Sequence, residues 1–356
     1  MTAPVKPRFT RKIFLFVLLG LATLVFYLYY SVGTANVVDV LERTNLFYFT
    51  SAFIVFLVSI FFSSLVWHSL LRNLDIKTKM RRVLLLTWAG MFFDATVPDP
   101  GWSGDLSKAY MLAKSSGQDA ATIVASVVGQ KIISMVITVM DLVLGLALLA
   151  WNYTLPSTVL TFIAAVLFLT VFSLVIVSYV SAKPKVTKRL LDLLIRVICF
   201  VRRGKWDPVD FRFKAERMLK RFHESVRTLS ANPRRLIRPS AFSLVSWGFD
   251  VSVIFLIFAA LGSPVPVDKV LIVYALTGSM QAMGISFVGF TEIVMSGSYT
   301  VLGILPAVSV SATLLTRVVT LWFKLIAAYL VFQFVGVEIL TKNLAAKDQV
   351  KVCANT

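Results

Sequence analysis

The chain has 356 residues, of which 58% are apolar, 13% aromatic and only 15% charged, with a mean hydropathy of +0.81. Soluble domains run nearer about 45–50% apolar and about 25% charged, so a secreted enzyme, a cytosolic enzyme and a disordered chain are excluded in favour of a polytopic membrane protein. The 36 Lys and Arg against 18 Asp and Glu give +18 at pH 7, and because they lie mostly between apolar runs they point to membrane orientation and anionic headgroups rather than nucleic acid.

Residues 13–30 form an apolar run behind Lys6, Arg8, Arg11 and Lys12. The run is too long for a signal-peptide core and no convincing cleavage site follows, so it reads as a retained helix. Residues 47–71 are the second predicted span. A weakly acidic stretch with Asp39 and Glu42 precedes it, and Arg72, Lys77, Lys79, Arg81 and Arg82 follow. The positive-inside rule then puts the N-terminus and the 72–82 loop in the cytoplasm.

The next apolar stretch, 83–97, falls short of the ~20 residues a full crossing needs. Farther on, 181–238 carries 17 Lys and Arg against five acids and must also be cytoplasmic. The two clear spans before it, about 132–150 and 159–180, form a hairpin that begins and ends inside. Parity therefore makes 83–112 a re-entrant segment turning at Pro98-Asp99-Pro100-Gly101, where freed backbone needs protein or a wet cavity around it. Residues 241–261 cross outward, and 270–305, interrupted by Gly278, Gly284, Gly289, Gly297 and Gly303, form a second re-entrant hairpin entering from outside. Residues 308–334 are the last span, and Lys342, Lys347 and Lys351 place the C-terminus inside.

The expectation is an all-α membrane protein of the cell membrane. It has about six full transmembrane helices plus two re-entrant helical hairpins in inverted repeats. An N-terminal half (1–181) and a C-terminal half (240–335) flank a basic loop (182–239), with a cytoplasmic tail at 336–356. Within the loop, 187–203 sets Leu and Ile against Lys and Arg as in a basic interfacial helix, and 211–229 is a second such candidate. A solvated linker held to lipid by charge is the plain alternative.

Two segments match in layout. In the first, Gly104 and Asp105 precede Gly117 and then Lys131; in the second, Gly289 and Glu292 precede Gly303 and then Arg317. Acid and base are 26 residues apart in one and 25 in the other, and glycine precedes base by 14 in both. Inverted repeats whose broken helices meet near the midplane are a recurrent transporter design.

Ionisable groups at membrane depth are costly and mark functional sites by default. Asp105, Lys108, Lys131, Glu292 and Arg317 are the candidates for substrate binding and translocation, with Asp94, Asp141 and Asp250 as secondary ones. Pro98, Gly101, Gly104 and Gly289 are read as turn residues. Lys131 and Arg317 would attract a lipid phosphate, for which an Arg fork is bidentate and a Lys a point charge; Asp105 and Glu292 would orient them. The competing reading is that these groups are structural ion pairs bracing the turns. Lys324, another ionisable group in the last span, can snorkel if it lies near the cytoplasmic end; His68 is read as an interfacial anchor.

Two histidines and the cysteines Cys199 and Cys353 match no metal or disulfide spacing, so neither metal nor cofactor is expected. There is no Walker A sequence, no G-x-S-x-G elbow, no H-E-x-x-H and no Rossmann fingerprint.

From about Arg11 to Val335 the chain resembles the flippase-like membrane family that includes the membrane domain of lysylphosphatidylglycerol synthases. The resemblance rests on Pro98-Asp99-Pro100-Gly101-Trp102-Ser103-Gly104-Asp105 with Lys108 to Leu112, on Gln130-Lys131, on Gly289 and Glu292, and on Leu314-Leu315-Thr316-Arg317. Lys131 stands where the family usually has Arg, Ser134 where it often has Asp, and Ile285-Ser286-Phe287 replace a Pro-Gly-Gly, the marks of a divergent member. With no soluble aminoacyl-transferase domain in the sequence, lysyl-lipid synthesis is not expected. The resemblance implies a transporter rather than an enzyme, moving a phospholipid or polyprenyl-linked glycolipid between leaflets, passively or on a gradient. The rivals are a membrane-embedded transferase with Asp105 or Glu292 as general base, and an accessory subunit docking a glycosyltransferase or lipid-synthesis enzyme through the basic loop. Membrane lipids, anionic ones above all, are the expected partners.

Overall fold

The computed structural model describes residues 42–97, 102–153, 157–201, 209–282 and 289–335. The predicted first span, the turn residues Pro98 and Gly101, and the tail lie outside the described residues. Those described are helical, with no strand among them. In chain order the helices are α1 (Leu46–Asn73), α2 (Met80–Thr96), α3 (Ser103–Ser116), α4 (Ala120–Asn152), α5 (Ser157–Ala182), α6 (Pro184–Val201), α7 (Val209–Ala231), α8 (Arg234–Ala260), α9 (Val267–Ala282), α10 (Phe290–Val301) and α11 (Pro306–Val335).

Five of these, α1, α4, α5, α8 and α11, are long and apolar enough to cross a bilayer. They coincide with the five predicted spans that fall in the described region. The four helices of the two interrupted stretches are shorter: 17 and 14 residues for α2 and α3, and 16 and 12 for α9 and α10. At 1.5 Å per residue the longest reaches only about 25 Å. Both amphipathic segments of the basic loop are helices, α6 and α7.

Local sequence explains the ends. Asn45 caps α1 by accepting the Phe47 amide N–H at 3.0 Å, and Arg72 in its last turn meets the negative end of the helix dipole. Asp119 caps α4 through the Thr122 amide at 3.1 Å, which starts that helix at Ala120, well ahead of the predicted Ile132. A window of bilayer length finds only the most apolar part of a helix, and α4 is 33 residues long. Gly117 ends α3 and Gly303 follows α10, both at positive φ (66° and 83°), where a side chain would be strained.

α1 and α8 form the antiparallel centre. The Asn45 amide donates to the Ala260 carbonyl at 2.7 Å at one end, and Asn73 Nδ2 to the Arg235 carbonyl at 2.9 Å at the other. Midway, Ser59 and Ser246 face each other: Ser246 Oγ donates to the Ser59 carbonyl at 3.0 Å, and Ser59 Oγ lies 3.2 Å from the Ser246 carbonyl. Such reciprocity marks a twofold-like contact. Around it, α1–α4 and α8–α11 correspond element by element: α4 packs on α9, and α2 packs on the end of α11, where the Phe92 and Phe332 rings stack at 5.2 Å.

Ala52, Phe56, Ile254, Phe258, Ile272 and Tyr299 belong to the main buried cluster between these two units. Lipid is as apolar as the side chains, so close packing and interhelical hydrogen bonds hold the helices together rather than burial from water. α5 turns Phe168, Phe172 and Val175 outward.

Candidate functional site

Each unit places a carboxylate at the start of a short helix and a cation inside a long one. Asp105 is the third residue of α3 and Glu292 the third of α10. Lys131 is the twelfth residue of α4 and Arg317 the twelfth of α11, about 16 Å along each axis. The structure pairs acid with base in both units. Glu292 accepts from Arg317 Nε at 2.6 Å and from the Gly289 amide at 2.7 Å, and is 3% exposed. Asp105 lies 2.7 Å from Lys108 Nζ and 3.7 Å from Lys131 Nζ.

The first cluster is extended by neighbours. Lys108, buried at 5% exposure, donates to Gln130 Oε1 at 3.0 Å and stands 5.0 Å above the Trp67 ring. Lys131 stands 5.5 Å above the Trp102 ring. The Gly104 amide donates to Asp94 Oδ1 at 2.8 Å, fixing α3 against α2.

Two adjoining cavities connect the clusters. One, about 180 Å³, is lined by Asp94, Asp105, Lys108, Gln130 and Lys131; the other, about 320 Å³, by Asp94, Asp250, Tyr274, Arg317 and Lys324. Ser63, Met91 and Asp94 belong to both. Asp250 accepts from Ser59 Oγ at 2.6 Å and lies 3.4 Å from the Tyr274 hydroxyl. The region thus holds four cations (Lys108, Lys131, Arg317, Lys324) and four acids (Asp94, Asp105, Asp250, Glu292). Balanced charge is what makes such a group of ions tolerable at depth. Equal numbers of donors and acceptors could also exchange partners with a phosphate-bearing or zwitterionic guest.

Of the residues singled out in the sequence, Asp105, Lys108 and Lys131 come together, as do Glu292 and Arg317, and Asp94 and Asp250 join them. Gly104 sits against Asp94 and Gly90, and Gly289 caps α10. Asp141 is buried beside Trp247 and lines neither cavity. His68 Nε2 is 3.0 Å from the Thr78 carbonyl. Lys324 does not snorkel: it faces the larger cavity, within electrostatic reach of Asp94, Asp250 and Arg317. Arg317 and Lys324 flank a π-helical turn at Val318–Phe323, a feature frequent at functional sites that the sequence does not reveal. Gln130 stood out only as the neighbour of Lys131 in the family resemblance, and Tyr274 carries no comparable sequence signal. Among the described residues no group of His, Cys, Asp and Glu could hold a metal ion.

Comparison with known proteins agrees with this architecture. The chain is similar to a UPF0104 membrane protein of Pyrococcus horikoshii, 22% identical over 317 residues, which cover 87% of this chain and 93% of that relative. A UPF0104 membrane protein of Methanocaldococcus jannaschii is 24% identical over 316 residues, 86% of this chain and 90% of that relative. No solved structure matches. The sequence profile described as lysylphosphatidylglycerol synthase TM region matches residues 13–328, both repeat units included, so the chain belongs to that family of membrane proteins.

Proposed function

We propose that the chain is a lipid translocase of the cell membrane, in which a phospholipid or polyprenyl-linked headgroup passes through the central polar cavities while its chains stay in the bilayer. The observation that carries this reading is the meeting of the two acid–base clusters, one from each unit, on adjoining cavities. In this reading the α2–α3 and α9–α10 pairs enter from opposite faces, with Asp105 on the smaller cavity and Glu292 paired to Arg317 on the larger one. Lys131 and Arg317 take the headgroup phosphate in turn. Asp105 and Glu292 hold those cations while the cavities are empty of lipid, so no buried charge is left unpaired between turnovers. Desolvating a headgroup is the main barrier to crossing, and a polar path with charges of both signs lowers it.

A leaflet-sidedness assay tests the reading, with head-labelled phosphatidylglycerol in proteoliposomes of the full chain. Wild type is expected to move label across without a new covalent product, at least tenfold faster than Arg317→Gln. Movement equal in both proteins, or none above protein-free vesicles, would overturn it. A new lipid product would assign the site to a transferase instead.

A further inference from the structure

A second charged cavity lies away from the centre, where the basic ends of α1 and α8 approach the start of α2. It encloses about 380 Å³, and Arg72, Arg234, Arg235, Arg238, His68 and Phe242 are among its lining residues; no carboxylate is. On the neighbouring helices some of the exposed basic groups are engaged: Lys188 with Glu216 at 3.2 Å, Arg212 with Asp192 at 2.9 Å and Arg221 with Asp119 at 3.0 Å. Among the described residues Arg72, Arg234 and Arg235 form no ion pair with a carboxylate, and Arg238 lies over the Phe242 ring at 5.5 Å. The walls are fixed in place, since Asn73 Nδ2 holds the Arg235 carbonyl at 2.9 Å and His68 holds the Thr78 carbonyl at 3.0 Å.

Four exposed guanidinium groups around one cavity concentrate positive charge there, which water and salt screen in part and which a bound anion would neutralise. A guanidinium fork matches two phosphate oxygens at once and is less strongly hydrated than an ammonium, so arginine rather than lysine suits a phosphate site. The cavity also has an apolar side, formed by Leu65, Met80 and Phe242, and Ile237, Leu244 and Val245 on α8 are exposed nearby in sequence. A head carrying phosphate beside a hydrocarbon tail fits that combination. It lies at the helix ends, at the level where headgroups meet water.

We propose that this arginine-lined cavity is a phosphate-binding site, taking the phosphodiester of a membrane lipid or a free phosphate, and separate from the central cavities. The proposal stands independently of translocation.

The test measures binding of phosphatidylglycerol to the full chain in detergent, with phosphate-free diacylglycerol as the comparison lipid and millimolar inorganic phosphate as competitor. The variants are Arg72→Gln/Arg235→Gln, the charge-keeping Arg72→Lys/Arg235→Lys, and Lys214→Gln/Arg217→Gln on α7, which removes as much charge elsewhere. Affinity for phosphatidylglycerol is expected to fall at least tenfold in the Gln pair, less in the Lys pair, and not in the α7 pair. Displacement by inorganic phosphate assigns the free anion as a ligand; retention against it assigns the lipid. Binding unchanged in the Gln pair overturns the proposal. So does an equal loss in the α7 pair, which would make the attraction one of net charge, or equal binding of diacylglycerol.

Discussion

The buried pair Glu292–Arg317 separates structural from functional roles at the scale of single residues. Removing Arg317 alone leaves Glu292, 3% exposed, with the Gly289 amide as its one remaining side-chain partner among the described residues, and breaking a buried pair costs about 3–5 kcal/mol. Arg317→Ala is therefore expected to lower the thermal unfolding midpoint in detergent clearly. Adding Glu292→Gln removes the orphaned charge and is expected to restore most of the midpoint. Headgroup movement should stay lost in the double variant. Recovery of both would reduce the pair to a brace. These two residues, with Asp105 and Lys131, were legible in the sequence because a charge inside an apolar run stands out from its neighbours. The role of Lys324 was left open by the sequence: a lysine in a span has a long stem, and only its neighbours decide whether the ammonium reaches for the interface or for Asp94 and Asp250.

At the scale of elements, the α2–α3 pair depends on two glycines. A Cβ on Gly104 would collide with the Asp94 carboxyl and the Gly90 carbonyl oxygen, and one on Gly90 would sit 2.7 Å from the Gly104 carbonyl oxygen. The Asp94 carboxyl could turn aside, but the two carbonyl oxygens are backbone, so the helices must separate to admit a methyl. Gly104→Ala is expected to cost about 1–3 kcal/mol, seen as a lowered midpoint and a loosened bond from the Gly104 amide to Asp94. Gly248→Ala on α8 is the control, because its added Cβ meets nothing within 4 Å and a helical Ala is favoured over Gly by up to about 1 kcal/mol. A similar drop in both would remove the special role of the close approach. The interruption of both apolar stretches was readable from their length and glycines. That Gly104 abuts Gly90 was not, since the crossing point depends on how two helices rotate against each other.

For the whole molecule, the basic ends of α1 and α8 lie on one side with the start of α4 and with α7, which Arg221 and Asp119 join at 3.0 Å. The opposite side holds the end of α4 and the start of α9, where Asn152 contacts Asp268 at 3.4 Å. By the positive-inside rule we propose that the first side is cytoplasmic. With Cys199 and Cys353 replaced by Ser, a cysteine at Lys79 or Arg235 should be labelled by an impermeant maleimide only in inverted vesicles, and one at Trp151 or Ser263 only in intact cells. Labelling of Lys79 and Ser263 positions from the same side would contradict the arrangement.

The five spans among the described residues, the two interruptions, the family and the charge-bearing positions follow from the sequence by itself, because hydropathy, charge and glycine spacing are local quantities that sum along the chain. The inversion about Ser59 and Ser246, the joining of two clusters through Asp94, the inward turn of Lys324 and the gathering of four arginines at the ends of α1 and α8 were decided by the tertiary structure. Each depends on which faces of helices distant in sequence are brought together, and in a bilayer that choice rests on packing and polar contacts between helices, which no count of apolar residues contains.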